Sequence, residues 1–379
     1  MYTRARYTRA TANVIKVMYF LLYAGFAAWM TLFYVYLNDD CHLSGMHIGI
    51  IAATQQLNNL IFLPLWGMIA DKFGRKKMFL FTLGVSILLL FVFMNHGSFL
   101  YFFLFMILFS AIYNPIASLL DAIALEMSND TGSVVSFGQM RLWASLGWAL
   151  SSAATGYFVK SEYLSLIFPI SSALFLITWL ISWFLYKHRS TPHHEAGFSL
   201  STLKNLVVGD KRLMYFFIFI CLFYILNSPI MMFINLYYNE IGGTNMHIGL
   251  AFAVQSLCEL PFFFWGQKFI DRFGSRKLMM FTMLVAAVRM FLYGATSNPW
   301  MAIAIGSMHG ITLGLFMVAA VDFVHTLVPS HQKSTGQSLL YTFLGLGTCI
   351  GNFANGFFKD LLSLKIAMLV NGGLIVVLV

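Results

Sequence analysis

The chain has 379 residues, of which 59% are hydrophobic and only 10% charged, and its mean hydropathy is +0.78. A soluble domain carries ~45–50% apolar and ~25% charged residues, so the composition excludes one and describes a polytopic membrane protein. The net charge of +9 does not point to nucleic acid, because its placement along the chain follows the membrane rather than a contiguous basic face.

Residues 1–13 form a short basic tail. It leads straight into a full-length apolar span, which reads as the targeting element rather than a cleaved signal. Runs of about 20 apolar residues, enough to cross the hydrocarbon, lie near 14–37, 46–70, 78–95, 99–127, 137–158 and 163–186. After a polar gap they recur near 213–238, 246–267, 278–296, 299–327, 335–357 and 362–379. The expected fold is therefore all-α, with twelve transmembrane helices. It divides into a six-helix bundle over 1–186, a cytoplasmic linker over 187–211 and a second six-helix bundle over 212–379. The linker carries His188, His193 and His194, which read as solvated residues rather than metal ligands.

If the helices alternate in direction, 18 of the 23 Lys and Arg fall on one side. They include Arg4, Arg6, Arg9 and Lys16, then Lys72, Arg75, Lys76 and Lys77, the linker cations, and Lys268, Arg272, Arg276 and Lys277. Only Lys160, Lys359 and Lys365 fall on the other side. The positive-inside rule then places both termini in the cytoplasm, in a cell (inner) membrane. Cys41, Cys221, Cys258 and Cys349 are scattered without CxxC spacing and read as packing residues.

One stretch is written twice. Met46 to Lys77 reads MHIGIIAATQQLNNLIFLPLWGMIADKFGRKK, and Met246 to Lys277 reads MHIGLAFAVQSLCELPFFFWGQKFIDRFGSRK. A repeat this long at this offset predicts two related halves packed around an interfacial site. In the first copy Gly67, Asp71, Gly74 and Arg75 form a charged loop. Gly74 permits a left-handed turn, and Asp71 can cap exposed backbone donors or pair with Arg75. In the second copy Asp271 and Gly274 recur, but Trp265 and Asp271 are six apart rather than five, and Ser275 stands where the first copy has Arg75. The loops read as latches that pair in one conformation and release in the other.

The G-x-x-x-D-x-x-G-R-K-K pattern resembles the signature loop of the major facilitator superfamily of secondary transporters, and the resemblance covers the whole chain. It implies alternating access by a monomer with no cofactor.

The fourth span carries Asn114, Pro115, Asp121 and Glu126. An ionisable group inside a span costs ~2.5–3.5 kcal/mol at the centre, so Asp121 should face a cavity or a partner. The fifth span begins at Phe137 and places Arg141 and Trp148 seven residues apart, on one face. A guanidinium, a nearby carboxylate and an aromatic plate suit a polar ring-shaped solute: the charged groups hydrogen-bond its hydroxyls, and the indole covers its C–H surface. This run resembles helix 5 of lactose permease and its oligosaccharide, nucleoside and 3-phenylpropionate symporter relatives. The resemblance implies that Asp121, Arg141 and Trp148 hold the solute, although Asp121 is one methylene shorter than the family's acid.

In the second half, Gln255 and Glu259 share a face of the eighth span and stand at the offset positions of Gln55 and Asn59. Arg289 lies in the ninth span and His309 in the tenth. A carboxylate withdrawn from water takes up a proton readily, and a movable cation beside it returns it. Glu259, Arg289 and His309 are therefore the expected proton site. The resemblance implies the same roles for Arg289 and His309, with Thr312 where lactose permease has an acid.

The expected function is proton-coupled symport of a sugar, oligosaccharide or nucleoside, with Asp121, Arg141, Trp148, Gln55 and Asn59 at the solute. An aromatic acid taken by Arg141 or Arg289 is the competing solute, and drug efflux a further alternative. No GxxxxGK[ST] phosphate loop or HExxH metal motif is present, so neither an ATPase nor an intramembrane metalloenzyme is expected.

Overall fold

The computed structural model describes residues 9–95, 97–128, 135–184, 211–329 and 332–379. The predicted linker up to residue 210, with its three histidines, and Arg4 and Arg6 of the tail lie outside the described residues. The described residues form twelve helical rods: α1 (Arg9–Asp39), α2 (Gly45–Phe73), α3 (Arg75–Val92), α4 (Phe99–Ser128), α5 (Phe137–Phe158) and α6 (Ser161–Phe184), then α7 (Lys211–Met232, continued by Ile234–Glu240), α8 (Asn245–Phe273), α9 (Ser275–Ala295), α10 (Pro299–Leu327), α11 (Lys333–Leu361) and α12 (Leu364–Leu378). Eight of these, α1, α2, α4, α6, α7, α8, α9 and α10, are long and apolar enough by themselves to cross a membrane. The other four carry basic first turns, interior polar residues or a shorter apolar length.

Several rods are interrupted where the sequence gives a reason. In α4, Pro115 removes a backbone donor, and the rod divides into Phe99–Tyr113 and Pro115–Ser128. In α7, Pro229 precedes the break at Phe233. In α10 the segment Gly310–Leu315 winds as π-helix directly after His309. Gly310 lies against the Cys258 carbonyl of α8 so closely that no Cβ could fit.

The two written copies fold as two copies. Both α2 and α8 are 29 residues long, and both end at a glycine with positive φ, +98° at Gly74 and +76° at Gly274. The one-residue difference between the copies is confined to the Trp-Gly pair, which slides along the helix while the Asp and the terminal Gly keep the 200-residue offset.

The halves meet along two seams, α2 against α11 and α5 against α8. At one end each seam is closed by a pair of glycines. A Cβ on Gly156 would lie 2.8 Å from Cα of Gly249, and one on Gly356 would lie 2.8 Å from Cα of Gly49. These four positions are themselves related by the 200-residue offset. Small residues at helix crossings let backbones approach, which is how helices associate where lipid supplies no hydrophobic drive. The seal is one-sided: Gly67, toward the other end of α2, has nothing within 4 Å of the place its Cβ would occupy.

Candidate functional site

At mid-depth between the halves lies a cavity of ≈ 250 Å³. The first half contributes Tyr23 from α1 and Arg141, Ser145 and Trp148 from α5. The second contributes Ile230 and Met231 from α7, Phe252, Gln255, Ser256 and Glu259 from α8, and His309 from α10. Arg141 and Trp148 share the cavity wall because two helical turns return a side chain to the same face. A hydrogen bond from the Ser256 hydroxyl to the Ser145 carbonyl, 3.1 Å, ties the two halves across the lining.

Behind the first-half wall, and itself outside the cavity lining, Asp121 of α4 is reached by two donors. The Tyr19 hydroxyl donates to its Oδ1 at 2.7 Å, and Arg141 Nε stands 3.5 Å from the same oxygen. The Arg141 guanidinium also lies over the Tyr23 ring, 4.4 Å from its centroid. Its charge is thus answered by a carboxylate and an aromatic face. Trp148 lines the cavity beside it.

The second-half network is a linear relay. Arg289 is completely buried and its side chain is held at three points: Nη1 donates to Thr312 Oγ1 at 3.0 Å, Nη2 to the Tyr293 hydroxyl at 3.3 Å, and Nη1 also meets His309 Nδ1 at 2.9 Å. His309 Nε2 in turn lies 3.0 Å from Glu259 Oε1. A guanidinium can only donate, so Nδ1 of His309 accepts. The ring proton then sits on Nε2 and points at Glu259. This contact set fixes a neutral imidazole of defined tautomer, and His309 and Glu259 both line the cavity.

Gln55 and Asn59 of α2 do not line this cavity. The offset to Gln255 and Glu259 is as expected, but α2 packs along α11. There Cys349 donates to the Ala53 carbonyl and Leu60 covers Gly345, and the Gln55 backbone carbonyl accepts from Asn114. The neighbouring Asn58 is the buried member of this stretch and bonds Ser110 and Ile107 of α4. Sequence reasoning does not reach Tyr19 and Tyr23. Their spacing of four on the first span is the signal that could have marked them as one face.

At the loops, Arg75 stands 3.4 Å from Asp71 and 3.5 Å from Glu126 of α4, so the first copy bridges to a neighbouring helix. In the second copy Asp271 accepts instead from Gln267, 3.0 Å, one turn earlier on its own helix. The Arg75-to-Ser275 difference read from sequence thus appears as a lost interhelical bridge.

Two pseudo-symmetric six-helix bundles sealed at one end, with a polar cavity between them that holds opposed ionic networks, define a carrier of small solutes across a membrane. The chain matches the MFS_1 like family over residues 13–370 and belongs to it. It is 29% identical to the maltose permease of Geobacillus stearothermophilus over 343 residues, covering 89% of this chain and 84% of that one. It is 21% identical to the nucleoside permease NupG of Escherichia coli (strain K12), covering 90% and 86%. A crystal structure of a NupG variant superposes with a TM-score of 0.87 at 20% identity, covering 97% of this chain and 98% of the other. The fold is shared with that transporter, and the chain is a multi-pass solute transporter.

Proposed function

We propose that this transporter is a proton-coupled symporter of a small, uncharged, polyhydroxylated ring solute, a sugar or a nucleoside, with Arg141, Asp121 and Trp148 at the solute and Glu259, His309 and Arg289 at the proton. The observation that carries the solute reading is the occupancy of the two arginines. Arg141 already faces Asp121, and Arg289 is fully buried behind His309 and does not line the cavity. Among the described residues, a carboxylated solute in the cavity therefore meets no uncommitted cation, and burying an unpaired charge is expensive. Neutral hydroxyls can share Arg141 with Asp121, insert between Ser145, Gln255 and Glu259, and lay their C–H face on Trp148. A cavity of ≈ 250 Å³ lies just below the range of ligand sites, about 300–1,000 Å³ for drug-sized molecules, and this favours one or two rings. The maltose and nucleoside permeases among the relatives support the same class.

The proton reading follows from the relay's tautomer. A proton added to His309 would set a donor on Nδ1 against the guanidinium, so the proton goes to Glu259. Protonation removes the charge on the cavity wall and turns one oxygen into a donor for a solute hydroxyl. The loaded carrier then binds solute more tightly, which is the differential affinity that coupling requires. The open end, with its basic loops, would face the cytoplasm, and the structure would be the solute-releasing, inward-facing form of a monomer in the inner membrane. Its halves would be 1–186 and 212–379, joined by the linker 187–211.

Competition for labelled solute exchange in proteoliposomes tests the solute class. Neutral sugars or nucleosides should compete and aryl carboxylates should not. Competition by aryl carboxylates alone would overturn the reading.

A further inference from the structure

The sealed end is less symmetric than the repeat that builds it. Position 360 on α11 and position 160 at the end of α5 are related by the 200-residue offset, yet the first is Asp360 and the second Lys160. Asp360 reaches across to the other half and caps α2. Gly45 N donates to its Oδ1 at 2.6 Å and Met46 N to its Oδ2 at 2.8 Å. With Ser44 accepting from His47 N at 3.2 Å, the first three amides of α2 are satisfied, two of them by the opposite bundle. At the α5–α8 seam a lysine cannot accept those amides. There α8 caps itself through Thr244 and His247, and the sealed end of the seam carries a neutral hydrogen bond, Asn245 Nδ2 to the Val159 carbonyl, 2.9 Å, with Ser256 to Ser145, 3.1 Å, deeper along it.

We infer that Asp360 is a positioning residue of the transport cycle: it holds the α2–α11 seam shut from across the halves and makes that seam the stronger half of the outer seal. Three features favour this. Both carboxylate oxygens are used, each in a charge-assisted bond to a backbone amide, which is stronger than a neutral pair. The negative charge sits at the positive end of the α2 dipole, where anions are stabilised. The contact also cannot survive opening, because the Gly49–Gly356 approach that brings the two helices together is a contact of the sealed form. Lys359 adds a bond to Asn38 at 2.8 Å, and Asp39 accepts from Asn239 at 3.1 and 2.8 Å, so the strap extends over the ends of α1 and α7. Opening this end of the α2–α11 seam strips two amides of a charged partner, whereas opening the same end of the α5–α8 seam strips the neutral Asn245–Val159 bond. The two seams then part in order, α5–α8 first.

The experiment is double electron–electron resonance on the full chain in nanodiscs, with spin labels at Glu162→Cys and Met301→Cys, one on each half at the sealed end, after Ser replacement of the native cysteines. Asp360→Ala should raise the fraction of long, open distances at least tenfold, the loss expected for even one charge-assisted bond. Asp360→Glu should restore the sealed distribution, and Asn245→Ala should shift it less than Asp360→Ala. Because Asp360→Asn keeps the volume and one acceptor, it provides a folded variant with an intermediate shift should the alanine protein be unstable. An unchanged distribution in Asp360→Asn and Asp360→Ala, or a larger shift from Asn245→Ala, would overturn the assignment.

Discussion

Replacing Glu259 by Gln separates the proton from the solute path. The His309 ring proton lies on Nε2 because Arg289 occupies Nδ1, so the introduced amide can present its carbonyl to that proton and keep the geometry. The bond changes from charge-assisted, ~1.5–3 kcal/mol, to neutral, ~0.5–1.5 kcal/mol. A loss of about 1 kcal/mol is small against a typical stability of about 5–15 kcal/mol, so the protein should fold and bind. Coupling should vanish. One proton moving down a membrane potential of ~100 mV supplies about 2.3 kcal/mol, which sustains roughly fiftyfold accumulation at about 1.4 kcal/mol per tenfold. In energised proteoliposomes the Glu259→Gln variant should bring labelled solute only to equality across the membrane, while exchange of internal for external solute continues. Accumulation at the wild-type level would refute the assignment of the proton to Glu259.

Arg289→Leu leaves the buried His309 Nδ1 without its donor and should lower stability by ~1–3 kcal/mol, the cost of an unsatisfied buried acceptor; Arg289→Lys should not restore it, since a point charge cannot reproduce three fixed contacts, and thermal melts of the two variants check both statements. Trp148→Ala should raise the half-saturating solute concentration roughly two- to twelvefold, the range for ~0.5–1.5 kcal/mol of aromatic contact, with Trp148→Phe closer to wild type in the same uptake assay. Gly249→Leu places side-chain atoms against the backbone of Gly156, whose own Cβ would already lie 2.8 Å from Cα of Gly249, and should prevent sealing and reduce net uptake at least tenfold while solute binding persists. Gly74→Ala, at φ +98°, should cost ~1–3 kcal/mol, seen as a lowered melting temperature.

The architecture was legible because membrane solvation leaves a simple imprint. Twenty-residue apolar runs gave the rods, and the doubled Met-His-Ile-Gly stretch gave the two halves. Arg141 and Trp148 reached the cavity together because a spacing of seven survives any bundle arrangement. Gln55 and Asn59 did not line it, although their offset partners Gln255 and Glu259 do. A repeat fixes position within a bundle, and α2 meets α11 as α8 meets α5, yet the cavity is lined from α5 of the first half and α8 of the second. The π-helix after His309 was invisible in the sequence, as was the approach of Gly310 to the Cys258 carbonyl that accompanies it. Asp360 was likewise unreadable as a cap, since its partners lie more than three hundred residues away.

Proton movement accompanying solute entry tests the central claim most directly. Wild-type protein in weakly buffered, de-energised vesicles should alkalinise the outside when a neutral sugar or nucleoside is added, and Glu259→Gln should abolish the signal. Solute entry at an unchanged external pH would contradict proton coupling and leave a uniporter.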